Sequence, residues 1–450
     1  MTEATAERPL IVATKADPSE SNAAATRTRE ASAEVSRSFF WRAVAALIGG
    51  AATLALSVFA RRHLPPTDFA HFIVFLSGLF VGPLLARFGS GSRALRELSE
   101  SVAFGETGRA GTAIRTTIID TLAFTILFST LTTAWVVFGA GVSVAAKALV
   151  FVSLVTESLR LLLSDVMAAL RRTGWAAALG HQLRTVGSLA IYAIMILVGH
   201  GKTLVAFFGS VAASSVLLLI VGGLATRRAA PVGQWRRPSN FAKSAQLGLP
   251  FVLVELGLFV IARGDVWLAN RYLGEQAPNY ATASFLAMQL GIPAGLAGHA
   301  VSPSIARFWH LGEIAVLRAL ILRYQAMLAA VLLPGAAIAA VASPLILRVF
   351  DDQSDQTRTF FVILLIGNAL AGSMMLSMNT LLMIGRAWHA AVAMLLGVSL
   401  YLPIAFLAAS SGSSVAFAWS SATASTLLLA SLTLLCVREF HTTEKPKGVA

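Results

Sequence analysis

From Phe39 onward the chain is written in apolar runs of about twenty residues, the length at which a helix crosses a ~30 Å hydrocarbon core. The runs fall at about 39–60, 69–88, 116–138, 142–168, 176–198 and 203–225. A basic stretch follows, with Arg227, Arg228, Pro231, Arg236, Arg237, Pro238 and Lys243. The runs then resume at about 246–269, 280–303, 321–349, 359–383, 389–409 and 414–436. They are unbroken rather than alternating, so each satisfies its own backbone as a helix, and a β-barrel is disfavoured. Charged residues make up 13% of the chain, against about 25% in a soluble domain. The pattern predicts an all-α polytopic membrane protein of about twelve transmembrane helices, in two six-helix lobes around a central cleft. It excludes a soluble enzyme and a nucleic-acid-binding domain, despite the net charge of +13.

The boundaries follow the same pattern. Residues 1–38 are polar and of mixed charge, and read as a disordered cytoplasmic tail. The N-terminal lobe spans 39–225, an inter-lobe linker 226–245, the C-terminal lobe 246–436 and a second cytoplasmic tail 437–450. Most Lys and Arg, including Arg93, Arg96, Arg109, Arg115, Arg171, Arg172, Arg307, Arg318 and Arg386, fall beside the tails and the loops after even-numbered runs. Seven others, among them Arg61, Arg271 and Arg348, fall on the opposite side. The positive-inside rule therefore places both termini in the cytoplasm. Cys436 is the single cysteine, and the eight histidines are scattered, so neither a disulfide nor a metal site is indicated and no cofactor is expected.

An internal repeat is legible. Ala60-Arg61-Arg62-His63-Leu64, then Phe69-Ala70, matches Ala269-Asn270-Arg271-Tyr272-Leu273, then Tyr280-Ala281, at an offset of about 210 residues. Six spans per half give both halves the same orientation, the parallel repeat of many alternating-access carriers.

Charges inside a span cost several kcal/mol unless they face water or one another. The fourth run carries Glu157, Arg160 and Asp165, with Glu157 and Arg160 three apart and able to pair. They read either as a structural ion pair or as cavity lining, with the arginine binding an anion and the glutamate exchanging a proton. On the fifth run His181, Arg184, Ser188 and Tyr192 fall within about 80° of arc. That stripe reads as a wet cavity wall, with helix packing as the alternative. The seventh run carries Glu255, Arg263 and Asp265, which could border a wide groove. Arg42 either snorkels or lines the cytoplasmic mouth. Asp120 and its threonines, and Asn368 with Asn379, read as packing features, and Gly291-x-x-x-Gly295 as a site of close helix approach. No nucleophile–base constellation and no Gly-x-x-x-x-Gly-Lys-Ser/Thr loop occurs, so neither catalysis nor an intrinsic ATPase is indicated.

The segment Phe59 to Phe72, containing Arg61, Leu64, Pro66, Asp68 and Phe69, resembles the first hairpin of bacterial polysaccharide flippases. Arg87 to Glu97 resembles that family's Gly-x-x-x-Ala-x-Arg-Glu cytoplasmic turn. Asp265 to Gly274 with Tyr280 and Ala283, then Pro303-x-x-Ala306, resembles its second-half signature. Pro65 and Ala70 depart from the usual glycines. The resemblance points to the polysaccharide-transporter branch of the multidrug/oligosaccharidyl-lipid/polysaccharide exporter superfamily. It implies a flippase carrying undecaprenyl-pyrophosphate-linked oligosaccharide across the bacterial inner membrane. The partners it implies are that substrate, membrane lipids and the polymerase and export machinery of the pathway, with no nucleic acid. Substrate contacts would fall to Arg42, Arg160, Arg184, Arg263, His181, Ser188 and Tyr192, because arginine binds phosphate oxygens bidentately. Ion coupling would fall to Glu157, Glu255 or Asp265. The alternatives are an ion-coupled multidrug or small-molecule antiporter of the same superfamily, and a polysaccharide polymerase, which would need a large outer loop.

Overall fold

The computed structural model describes residues 18–64, 75, 79, 82, 83, 85–137, 143–201, 203–229, 241–349 and 354–444. No strand occurs among them. In the N-terminal lobe the helices are α1 Pro18–His63, α2 Ser90–Ala103, α3 Thr107–Val137, α4 Val144–Ala169, the short α5 Thr173–Ala178, α6 His181–Leu197 and α7 Leu204–Ala229. The second span lies mostly outside the described residues. In the C-terminal lobe they are α8 Phe241–Tyr272, a 3-10 turn at Gly274–Gln276, α9 Ala277–Gln289, α10 Ile292–His310, α11 Ile314–Val341, the short α12 Ser343–Val349, α13 Asp355–Met383, α14 Ala387–Ser410 and α15 Ser414–Glu444. Among the described residues seven spans are long and apolar enough by themselves to cross a membrane. The fourth, α4, is diluted by Glu157, Arg160 and Asp165. This is a multi-pass membrane protein.

Both lobes repeat one packing scheme. In the N-terminal lobe α1 packs on α6, α3 on α4, α4 on α7 and α6 on α7; in the C-terminal lobe α8 packs on α14, α11 on α13, α13 on α15 and α14 on α15. Individual contacts repeat too. A Cβ at Gly49 would lie 2.3 Å from Gln182 Cβ, and one at Gly257 would lie 2.2 Å from Met394 Cγ. One at Gly187 would lie 2.3 Å from Ser214 Oγ, and one at Gly397 would lie 2.4 Å from Leu428 Cδ1. The four positions correspond between the lobes at an offset of about 210, and the glycine of each contact is kept while its partner is not. Close helix approach therefore occurs at these glycines. At Gly291-x-x-x-Gly295, by contrast, a Cβ on Gly295 would meet nothing within 4 Å, and Gly291 and Pro293 sit where the eighth span breaks into α9 and α10.

Two boundaries differ from the sequence reading. Helix α1 starts at Pro18, so residues 18–38 are helical rather than a disordered tail, and α15 runs on to Glu444 rather than ending at 436. Residues 18–38 are rich in Ala, Glu and Arg, good helix formers, and they extend a helix already nucleated in the membrane. Val35 is 1% exposed, which means that this extension is packed.

Among the described residues the main packing between the lobes lies at one end. That end holds the loops near Arg96, Arg171, Gly312 and Arg386, and we call it the basic end. There α1 and α2 meet α8, α10 and α11. A Cβ on Gly89, whose φ is +70°, would sit 2.5 Å from Gly248 O, and one on Gly248 would sit 2.2 Å from Phe88 O. The main apolar core runs through the C-terminal lobe and across this seam. A second core, with Leu56, Phe75, Leu154, Tyr192 and Phe208, belongs to the outer half of the N-terminal lobe alone. Among the described residues no core cluster joins the lobes at the opposite end.

Candidate transport site

Three polar clusters lie within the lobes and at their seam, the first and third buried and the second half-buried. The first is inside the N-terminal lobe. Arg160 and Glu157 are both 0% exposed, and Arg160 donates from Nε (3.1 Å) and Nη2 (2.6 Å) to the two Glu157 oxygens. Its Nη1 donates to the carbonyls of Leu179 and Gly180 (2.6 Å to the latter). Those carbonyls end the α5 turn, where cations are favoured. The pair is thus electrically closed and fully bonded, which a buried ion pair requires. Arg184, one helix over, lies 3.3 Å from Glu157 Oε1, while its Nε and Nη1 carry no hydrogen bond. Two arginines thus share one carboxylate.

The second cluster is at the base of the cleft, where the lobes meet. Arg87 Nη1 donates to Asp165 Oδ2 at 2.8 Å within the N-terminal lobe. Ser92 donates across the seam to Glu255 Oε1 at 3.3 Å. Gly91 makes room here, since a Cβ on it would lie 2.3 Å from Asp165 Oδ2 and 2.7 Å from Arg87 Nη1. Arg42 is 9% exposed, its charge is felt by Asp165, and its Nε has no hydrogen-bond partner.

The third cluster is enclosed in the C-terminal lobe. Asp265 is 4% exposed. Its Oδ2 accepts from Tyr280 (2.8 Å) and Ser284 (3.3 Å), and its Oδ1 from the backbone N–H of Val266 (2.7 Å). Ser421 links the Tyr280 and Tyr401 hydroxyls at 3.3 and 3.2 Å. Four hydroxyls from three other spans thus gather around one carboxylate, two of them bonding it directly.

These positions sort the sequence candidates. Arg42 and Glu255 come together at the cleft base. Arg184 and Glu157 meet inside the N-terminal lobe, and Asp265 stands apart in the other. Arg160 is spent on Glu157 and two carbonyls, so it fixes the start of α6 rather than offering donors to a substrate. Ser188, 1% exposed, bonds the carbonyl of Arg184 in its own helix, and Tyr192, 0% exposed, bonds the carbonyl of Gly201. Both belong to helix packing against α7, where Phe207 stacks edge-on against Tyr192, and not to a wet wall. Along the stripe Arg184 faces Glu157, while Tyr192 sits in the apolar core of the lobe with its hydroxyl on a backbone carbonyl. The side chains of His181 and Arg263 lie outside the described residues. Among the described residues no group of His, Cys, Asp and Glu could hold a metal ion.

Sequence reasoning missed Arg87, Ser92, Tyr280, Ser421 and Tyr401 as site residues. Arg87 ends an apolar run, which reads as an ordinary span terminus. Tyr280 was visible only as a motif position.

No family model matches the chain, and no curated protein does. Solved structures do. A mutant of the Vibrio cholerae MATE transporter VcmN superposes with a TM-score of 0.78 at 15% identity, covering 93% of this chain and 98% of that one. The fold is that of the MATE transporters. A MATE structure in the straight conformation gives a TM-score of 0.74 at 13% identity over 91% of this chain and 96% of that one. A transporter of the MOP superfamily from Pyrococcus furiosus gives 0.74 at 13% identity, over 92% and 96%. It is described as having a binding pocket of reversed polarity that suggests a different function. The match over nearly the full length of both chains gives this protein the twelve-helix, two-lobed architecture expected from its apolar runs.

Proposed function

We propose that this protein is an exporter that works by alternating access, with its substrate held between the lobes and its transport coupled to an ion. Two lobes of matching packing that share a core at one end are the observation that carries this reading. The neighbours are MATE transporters, and the multidrug or small-molecule antiporter is the reading of transport mode they favour. Asp265 supplies a carboxylate for ion coupling, enclosed by Tyr280, Ser284, Ser421 and Tyr401 and able to take a proton or a small cation. Orientation follows the basic residues, with the basic end in the cytoplasm, and the bacterial inner membrane is the proposed location.

The test is transport in proteoliposomes loaded with a cationic dye and given an imposed proton or Na⁺ gradient. Gradient-driven efflux, lost in Asp265→Asn at unchanged abundance, supports antiport. Efflux that ignores both gradients overturns it.

A second reading rests on Arg42, Arg87 and Arg184. In the N-terminal lobe and at the cleft base, free guanidinium donors exceed the carboxylates that face them, which suits an anionic headgroup better than a cationic drug. That composition, with the motif resemblance, supports a flippase for lipid-linked oligosaccharide working beside a polysaccharide polymerase and export machinery. Accumulation of lipid-linked sugar in the inner leaflet after depletion is the decisive measurement. Absence of accumulation, with dye efflux intact, removes this reading.

A further inference from the structure

The inner end of α1 crosses from one lobe to the other at the basic end. Glu34 pairs with Arg171 of the N-terminal lobe, with Oε1 accepting from Arg171 Nε at 2.6 Å and Oε2 from Nη2. The same Oε2 lies 3.8 Å from Arg307 Nη1 of α10, in the C-terminal lobe. Two residues to either side, Tyr324 of α11 donates to the carbonyl of Ser32 at 3.1 Å and shares a 3.1 Å hydrogen bond with Ser36. Val35 between them is buried in the seam core. Arg171 takes the left-handed conformation (φ 61°) that closes the end of α4, where the N–H of Arg172 donates to the carbonyl of Met167 at 2.9 Å.

We infer that residues 32–38 of α1 form a latch that keeps the two lobes joined at the basic end, with Glu34 and the Tyr324 hydroxyl as its points of attachment. The inference rests on the alternating-access reading for its role in transport, but the latch itself is a property of the seam. Helix α1 is continuous from Pro18 to His63, so Arg42, two turns and about 12 Å above Glu34, moves with it. A ligand that draws Arg42 into the cleft therefore tilts the latch. The structure thus links occupancy of the cleft base to release of the opposite lobe through one rigid element.

The experiment uses the full chain in lipid nanodiscs, with Cys436→Ser and a single reporter, Ser304→Cys. Ser304 is 6% exposed and lies in the crevice beside Glu34, Arg171 and Arg307. A membrane-impermeant maleimide reads how often the basic end opens. Glu34→Gln and Tyr324→Phe are each expected to raise the labelling rate about fivefold, and together more, as removal of one or two such bonds shifts a two-state balance. Glu106→Gln, which breaks an exposed pair with Arg109 inside one lobe, should leave it unchanged. Ser36→Ala guards against misfolding, because it removes one hydroxyl only and should raise the rate in the same direction. Wild-type rates in Glu34→Gln, Tyr324→Phe and Ser36→Ala overturn the latch. Labelling needs no substrate, so a protein that opens faster yet transports nothing keeps the latch and loses the transport reading.

Discussion

Arg160 and Arg42 carry the same guanidinium in opposite circumstances. Arg160 is enclosed by a carboxylate and two carbonyls, whereas Arg42 is almost as buried but has no hydrogen bond at Nε. Removing one partner of a buried, fully bonded pair leaves an uncompensated charge, at about 3–5 kcal/mol. Arg160→Ala should therefore lower the yield of folded protein and its thermal midpoint. Arg42→Ala removes an Nε donor that no hydrogen bond uses and should leave the midpoint near wild type while impairing transport, whereas Arg184→Ala also removes a partner 3.3 Å from Glu157 and should lower the midpoint, though less than Arg160→Ala does. Lysine at either position should rescue transport only in part, because a point charge lacks the planar fork. Tyr192→Phe gives up a single bond to the Gly201 carbonyl, worth about 1 kcal/mol, and should leave transport unchanged. The sequence placed Glu157 next to Arg160 by helical spacing alone, and the structure bears that out. It could not separate Arg160 from Arg184, because what distinguishes them are the carbonyls of Leu179 and Gly180, and a carbonyl has no signature in a side-chain pattern.

At the scale of the element, the apolar runs located most of the spans, but they located helix ends badly where polar sequence continues a helix. Residues 18–38 and 437–444 are helical because a nucleated helix propagates at little further cost, and neither hydropathy nor charge registers that. The eighth span shows the converse: one apolar run becomes α9 and α10 because Gly291 and Pro293 interrupt the hydrogen-bond ladder. The glycine contacts give a sharper test of helix packing. A valine at Gly49 or Gly187 would push its β-carbon into Gln182 or Ser214, separating α6 from α1 or from α7. Each should lower the thermal midpoint, by the equivalent of about 1–3 kcal/mol for overpacking. Gly223→Ala in α7 is the control, since nothing lies within 4 Å of its Cβ, and it should stabilise the helix by up to about 1 kcal/mol. If valine at Gly49 and Gly187 is as benign as alanine at Gly223, the close approach of these helices is not what holds the lobe.

At the scale of the whole molecule, twelve spans and short hairpin turns give an alternation that can be read from outside. Turns at Gly312 and Gly385 lie at the basic end and the one at Gly412 at the other, each opened by a glycine at positive φ. Reporter fusions after Gly312 and after Gly412 should read cytoplasmic and periplasmic respectively, and agreement between the two would contradict the topology. The two-lobed plan was legible from the repeat offset. Which end is shut was not, because that depends on contacts between residues as distant as Ser32 and Tyr324.

The seam at Phe88, Gly89 and Gly248 is closed by main chain lying on main chain. At these residues the closure cannot open by a side-chain rotation alone. Water and ions cross only after entire helices have parted, a collective rearrangement on the microsecond-to-millisecond scale. A pathway of this kind does not conduct. Its throughput is counted in cycles rather than in ions, and a membrane potential held across the resting protein should drive no measurable current.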